Sequence, residues 1–300
     1  MKKYIRKCYF YGAYIFSKLV LVLPYKFSVG KLADALGAVA YYIVKDAREK
    51  ARKHLTLCFP DKTSKEIEQI IKTIFKYQAK NFFELLNFPR INKDFFDSIA
   101  SMSQRDIEIY KKALSKNKGL LIASAHCGNW EILASGVAAK NFSVNVIAKR
   151  IYIEELNQML VSYRESKNVN VILRSERDTA RKMLKALKNN EIIAMLIDQD
   201  TSVQSVFVDF FGMPASTPSG LATIALKMGT PVIMTVSKRL PNGTHTFVVS
   251  DEIEPDKTTG VFEQDVINFT GKVTKYIEKY IKENPEQWVW FHERWKTKKI

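Results

Sequence analysis

Cysteine is nearly absent from this 300-residue chain: Cys8, Cys58 and Cys127 stand far apart, with no CxxC pair and no regular spacing. A disulfide framework and a thiolate zinc site are therefore excluded, and a reducing, cytoplasm-facing compartment fits best. Internal repeats, low-complexity tracts and long linkers are missing, as are helix-turn-helix, zinc-finger and RNA-binding signatures. Acidic residues run short, with 31 Asp and Glu against 47 Lys and Arg, a formal net charge of +16. Residues 1–53 are the most one-sided, holding twelve Lys or Arg against Asp34, Asp46 and Glu49. A polyanionic partner is expected, and charge by itself fits nucleic acid and an anionic membrane leaflet equally.

Long hydrophobic runs are scarce as well. The stretch from Cys8 to Pro24, CYFYGAYIFSKLVLVLP, sits at the lower length limit for crossing a hydrocarbon core and carries Lys18 inside it, which favours tilt, snorkelling or an interfacial position. With its basic start it has the outline of a secretory signal. However, no small-x-small cleavage site follows Pro24, and apolar helix-like sequence resumes from Leu32 to Val44. A buried pair of N-terminal helices in a soluble domain is the plain alternative.

What is present is enough apolar sequence, 46% of the chain, to bury a large core. Ile67, Ile70, Ile71, Ile74 and Phe75 recur at helical spacing within Ser64 to Leu86 and predict an amphipathic helix. Beyond it, short branched runs begin at Gly119, Val144, Val169, Ile192 and Pro231 and alternate with helix-length segments. That rhythm predicts an α/β fold with a mostly parallel central sheet flanked by helices, whose sites collect at the carboxyl ends of the strands. Asn242-Gly243, between the run ending at Leu240 and that starting at His245, predicts an antiparallel hairpin. A last helix is expected from Gly260 to Glu283, stopped by Pro285. The division expected is a basic, apolar, membrane-associating helical segment over residues 1–56 and one α/β domain over 57–300.

The first strand of the α/β region ends at Ser124-Ala125-His126, and Gly128-Asn129 turns it into a helix opening Trp130-Glu131. A histidine at that point reaches a bound hydroxyl as general base, and Glu131, one turn into the helix, is placed to accept the other ring N–H. The N–H groups around Gly128 and Asn129, at the positive end of the helix, are placed to receive an oxyanion. On this reading Cys127 only packs. The bland alternative is that His126 caps the helix and Glu131 complements its dipole. A metal site is not expected, because the pair lacks the i, i+4 face of H-E-x-x-H and no second histidine lies near in sequence.

The block Ser124 to Glu131 (SAHCGNWE), then Asp198-Gln199-Asp200, then Phe210-Phe211-Gly212 with Ala215, Thr217 and Gly220, and finally the stretch from Pro285 through Trp288, Trp290, His292, Arg294 and Trp295 to Lys296, together resemble the lipid A biosynthesis acyltransferases. These are the late, Kdo-dependent enzymes that add lauroyl, myristoyl or related chains. The resemblance runs over nearly the whole chain and implies a glycerolipid-acyltransferase-like fold with no cofactor. It implies acyl carrier protein as the thioester donor, a Kdo-lipid A precursor as acceptor through the hydroxyl of a primary hydroxyacyl chain, and inner-membrane lipids as the setting, at the cytoplasmic face of a bacterial inner membrane. Nucleic acid is not implied.

Within the resemblance His126 matches the base and Glu131 its charge partner, Arg164 an arginine of the helix after the second strand, and Asp198 or Asp200 an acidic site. Lys149 and Arg150 fall where the family commonly carries an arginine, without the Asn-Pro that follows it there. A planar guanidinium suits phosphate or a sugar acid, so Arg164 is read as a substrate contact, or else as a salt-bridge partner of Glu155, Glu165 or Asp198. Asp198 and Asp200 lie just past a strand end, near the expected His126 loop, and are read as orienting cationic groups or as loop-start hydrogen bonding. Phe207 to Gly212 is read as an acyl-tunnel wall or plain core, and the tryptophan-rich C-terminus as a membrane-interface belt or a closing flap. The rival readings are a phospholipid or phosphatidylinositol-mannoside acyltransferase and a non-catalytic basic membrane- or nucleic-acid-binding protein.

Overall fold

The computed structural model describes residues 2–174, 178–256 and 258–299, and side chains from residue 6 onward. Four helices come first, α1 (Lys2–Val22), α2 (Ala33–Ile43), α3 (Lys45–Cys58) and α4 (Ser64–Leu86). A short α5 (Lys93–Ile99), β1 (Ala100–Ser101) and α6 (Gln104–Leu114) lead to β2 (Leu120–Ser124). Then strands and helices alternate: α7 (Trp130–Ala139), β3 (Val144–Ala148), α8 (Glu154–Glu165), β4 (Val169–Leu173), α9 (Thr179–Lys188) and β5 (Ile192–Leu196). β6 (Ser205–Phe210) and β7 (Met213–Pro218) form a separate hairpin, followed by α10 (Gly220–Met228), β8 (Val232–Arg239), β9 (His245–Val249) and α11 (Phe262–Glu283).

The seven-stranded sheet has the order β1-β9-β8-β2-β5-β3-β4, and only the β8–β9 pair is antiparallel. This is the mostly parallel sheet read from the sequence, including the Asn242-Gly243 hairpin. The same local device ends four consecutive helices: Asn117, Asn141, Asn168 and Asn190 follow α6, α7, α8 and α9 with φ of 53°, 65°, 58° and 59°. Asparagine tolerates this left-handed conformation better than other side chains except glycine, so each helix stops and the chain turns back into the next strand.

Both faces of the sheet are covered. Leu120, Ile122, Ile192 and Val144 pack toward α7 with Ile132 and Val137. Leu121, Ala123, Ile193 and Ile197 pack in a cluster shared with α4, α10 and α11, to which α2 and α3 add Tyr41, Ala51 and Leu55. Thr63 caps α4 in a reciprocal capping box with Glu66, which fixes where that helix begins.

Two readings that the sequence leaves open are decided here. Phe207 to Gly212 is not a tunnel wall: Phe210 is fully buried against Trp288, Trp295 and the guanidinium of Arg294. Nor is the C-terminal tryptophan cluster a membrane belt. Trp288, Trp290 and Trp295 are buried, and Arg294 donates to the Ser216 carbonyl and Thr217 Oγ1, pinning the segment onto β7. Rings this large bury more apolar area inside than at a wet surface offered by the same segment.

Among the described residues no single helix is long and apolar enough to cross a membrane. One bent pair, Lys26–Ile43 with Lys45–Cys58 at 85°, passes that test by length and composition.

Candidate active site

Parallel register dictates what meets at the carboxyl edge of the sheet. β2 and β5 are adjacent with Ser124 opposite Leu196, so the residues two steps beyond each, His126 and Asp198, emerge side by side. His126 Nδ1 lies 2.9 Å from Asp198 Oδ1, the His126 main-chain N–H donates to Asp198 Oδ2 at 2.9 Å, and Trp288 Nε1–H donates to the same oxygen at 2.7 Å. Burial pushes the Asp198 carboxyl up, but the adjacent His126 ring and these donors outweigh it and hold it at about 2. A carboxylate accepts only, so Nδ1 carries the ring proton and Nε2 keeps its lone pair. Trp130 packs edge-on against the ring at 4.9 Å, which fixes its plane.

The hydrogen bond expected between His126 and Glu131 is replaced by another. Glu131 takes the fork of Arg164, with Nε at 2.9 Å from Oε2 and Nη2 at 2.6 Å from Oε1. The reason is placement: Asp198 already occupies Nδ1, while Glu131, on the first turn of α7, faces the last turn of α8, where a bidentate guanidinium is the better partner. Arg164 is thus in a salt bridge, the alternative to a substrate contact read from the sequence, but with Glu131 in place of Glu155, Glu165 or Asp198, and both side chains line the cavity described below.

Gly128 and Asn129 shape the loop instead of facing the cavity; both are buried. Gly128 has φ +55°, and a Cβ there would sit 2.2 Å from the Ser237 carbonyl oxygen. Its N–H donates to the Gln287 carbonyl at 2.8 Å and is committed, which removes it as an oxyanion donor. The Asn129 side chain caps α7, accepting from the N–H of Glu131 and Ile132, and donates through Nδ2 to Glu84 Oε2 at 2.6 Å. Cys127 is fully buried and burial pushes its thiol well above the ordinary value.

Behind this loop lies a charged cluster that the sequence reading missed. Glu84 is fully buried and accepts from Arg239 Nη1 and Nη2 at 2.7 and 2.6 Å, from His245 Nε2 at 3.0 Å and from Asn129. Burial raises its carboxyl, yet Arg239 and His245 hold it far below the usual range. Asn81, one turn earlier on α4, donates to the Gly128 carbonyl at 2.6 Å and accepts from Arg239. The available signal was Asn81 and Glu84 three apart on the otherwise apolar face of α4.

Asp200 is occupied as well: its carboxylate accepts from the Thr297 N–H at 2.9 Å and hydroxyl at 3.1 Å, and its carbonyl from His292 Nε2–H at 3.0 Å. It ties the C-terminal segment across the site. Arg150 pairs with Glu154 at 2.8 Å and does not line the cavity, whereas Lys149 does.

His126 opens onto a cavity of about 990 Å³. Its inner wall is apolar, with Leu133, Val137, Val144, Val146, Leu160 and Ala194 between the sheet, α7 and α8, while polar and charged groups gather at the strand ends. None of the described residues forms a cluster of three or more His, Cys, Asp or Glu fit to hold a metal ion.

The chain matches the model of the bacterial lipid A biosynthesis acyltransferases over residues 2–297. It is 24% identical to the lipid A biosynthesis lauroyltransferase of Escherichia coli K12 over 291 residues, covering 93% of this chain and 89% of that one. With the lipid A biosynthesis palmitoleoyltransferase of the same organism it shares 25% identity over 279 residues, 90% of this chain and 85% of that one. A phosphatidylinositol mannoside acyltransferase of Mycobacterium tuberculosis is 30% identical over 125 residues, so the chain spans 40% of that relative's length.

Proposed function

Because the chain belongs to the bacterial lipid A biosynthesis acyltransferases, we propose that it transfers a fatty acyl chain from an acyl carrier protein thioester to the hydroxyl of a primary hydroxyacyl chain on a Kdo-lipid A precursor. The observation that carries this reading is the His126–Asp198–Trp288 array opening onto an apolar-walled cavity. His126 Nε2 takes the acceptor hydroxyl proton as the oxygen attacks the thioester carbonyl carbon. The C–S bond then breaks, and the proton passes from Nε2 to the departing thiolate, so ester and free thiol leave and no acyl group ever resides on the protein. The positive end of α7 favours the charge developing on the carbonyl oxygen. Asp198 holds the base in its reactive tautomer, and Glu131 with Arg164 forms the charged pair of the cavity wall.

The setting we propose is the cytoplasmic face of the inner membrane, with residues 1–56 as the membrane-associating part. Leu19, Val22, Tyr42 and Ile43 are exposed by 61%, 84%, 66% and 70%, beside exposed Lys18, Lys26, Lys31 and Lys45. Apolar faces rimmed by lysine suit an anionic lipid interface. The mycobacterial similarity favours a second reading, transfer to a phosphatidylinositol mannoside. Incubation of the full chain with acyl carrier protein thioesters and either acceptor, followed by mass spectrometry, separates the two. One added chain on the Kdo-bearing precursor is expected, and acylation of the mannoside alone would replace the first reading by the second.

A further inference from the structure

Lys149 and Arg174 are the first residues beyond β3 and β4, whose last paired residues are Ala148 and Leu173. The parallel register therefore makes them the next neighbours at the carboxyl edge, and the Arg174 N–H donates to the Ala148 carbonyl at 2.9 Å. Lys296 reaches the same cavity from the C-terminal segment, one residue before the Thr297 that holds Asp200. Three cations from three separate elements thus line one mouth.

Their shared place on one cavity wall distinguishes them. None of the three makes an ion pair with any described residue, a state they share with outer-surface lysines such as Lys18, Lys26 and Lys31, but here the three charges converge on one cavity. Among the described residues the cavity wall carries two acidic side chains, and both are already taken, Glu131 by Arg164 and Asp200 by Thr297. Uncompensated positive charge over a low-dielectric wall focuses its field on whatever enters. The apolar interior calls for an acyl chain and the mouth for an anion. Three separate cations match the several oxygens and the charge of a phosphate better than the single charge of a carboxylate.

We propose that Lys149, Arg174 and Lys296 form a phosphate-recognition rim that seats a phosphorylated amphiphile with its chain in the cavity and its head at the mouth. The inference rests on the acyl-transfer reading for the identity of that amphiphile, since the phosphodiester of a phosphopantetheine thioester and a phosphate on the acceptor sugar share this chemistry. It reassigns to these three residues the anion contact that Arg164, held by Glu131, does not offer.

Calorimetric titration of the full chain with decyl phosphate and with uncharged decyl glucoside tests the rim without turnover. The wild type should bind the phosphate at least about tenfold more tightly, as one or two charge-assisted hydrogen bonds allow, and added salt should erode the preference. K149Q/R174Q/K296Q should bind the two probes within about twofold of each other while keeping the wild-type affinity for decyl glucoside, which reports an intact cavity. A wild type without preference, or a triple variant that retains it, overturns the proposal.

Initial rates then identify the source. In the triple variant KM should rise about tenfold or more for phosphopantetheine thioester but not for its phosphate-free pantetheine analogue, or for the phosphorylated acceptor but not for the dephosphorylated one. An equal rise for the phosphate-free substrates overturns the rim. A wild type that prefers decyl phosphate yet transfers no acyl chain refutes the acyl-transfer reading and leaves the rim standing.

Discussion

At Asp198 three donors converge on one carboxylate, and two of them belong to the same histidine. Asp198→Asn keeps the volume but offers an amide in place of the acceptor, so the Nδ1 proton loses its partner and the base its tautomer. Acyl transfer should fall by about two to four orders of magnitude with the fold retained. Glu131→Gln breaks the Arg164 fork but leaves the His126–Asp198 bond, so it should lower kcat/KM without moving the pH profile, a separation that rate measurements across pH resolve. The Asp198 carboxyl is depressed from its ordinary 3.8 to about 2, so its contribution to stability is complete above about pH 4 and lost as pH falls through about 2. Urea unfolding across that window should show an acid limb on the order of 2 kcal/mol in the wild type that Asp198→Asn lacks. Gly128→Ala sets a Cβ into the Ser237 carbonyl at a positive φ, and a loss of about 2 kcal/mol or more is expected from denaturant titration.

Among the elements, α4 anchors the His126 loop, because Glu84 and Asn81 reach from it to both Asn129 and Gly128. Glu84→Ala leaves Arg239 buried and unpaired, and chemical denaturation should register a loss of about 3 to 5 kcal/mol. Most of these elements are legible in the sequence, since branched runs between turns give β2 to β5 and β8, and the apolar spacing gives α4. The β6–β7 hairpin is not legible: β7 carries Pro214 and Pro218, which weaken a strand signature, and its aromatic partner run reads as wall or core alike. The site is legible in part. His126 falls at a strand end by pattern alone, and Asp198 near it, but their pairing depends on β5 inserting beside β2, a long-range choice that no local spacing contains. Glu131 looks like the partner because it is near in sequence, whereas the sheet brings closer a residue 72 positions away.

For the molecule as a whole, a net charge of +16, an exposed apolar face on α1 and α2 and an apolar-walled cavity are the features on which the proposed action at a lipid surface rests. Replacing Leu19, Val22 and Ile43 together by glutamate should reduce co-sedimentation with anionic vesicles by about tenfold or more while leaving binding of soluble thioester unchanged, since both charge and apolar burial drive such adsorption. The central claim is that His126, polarised by Asp198, activates a lipid hydroxyl for direct attack on a thioester. The most direct measurement compares the initial rate of acyl transfer to a Kdo-bearing tetraacyl precursor by wild type and His126→Ala, with intact-protein mass spectrometry on both. A fall of about a hundredfold to ten-thousandfold with no acylated protein is predicted; equal rates, or an acyl group found on Cys127, would contradict it.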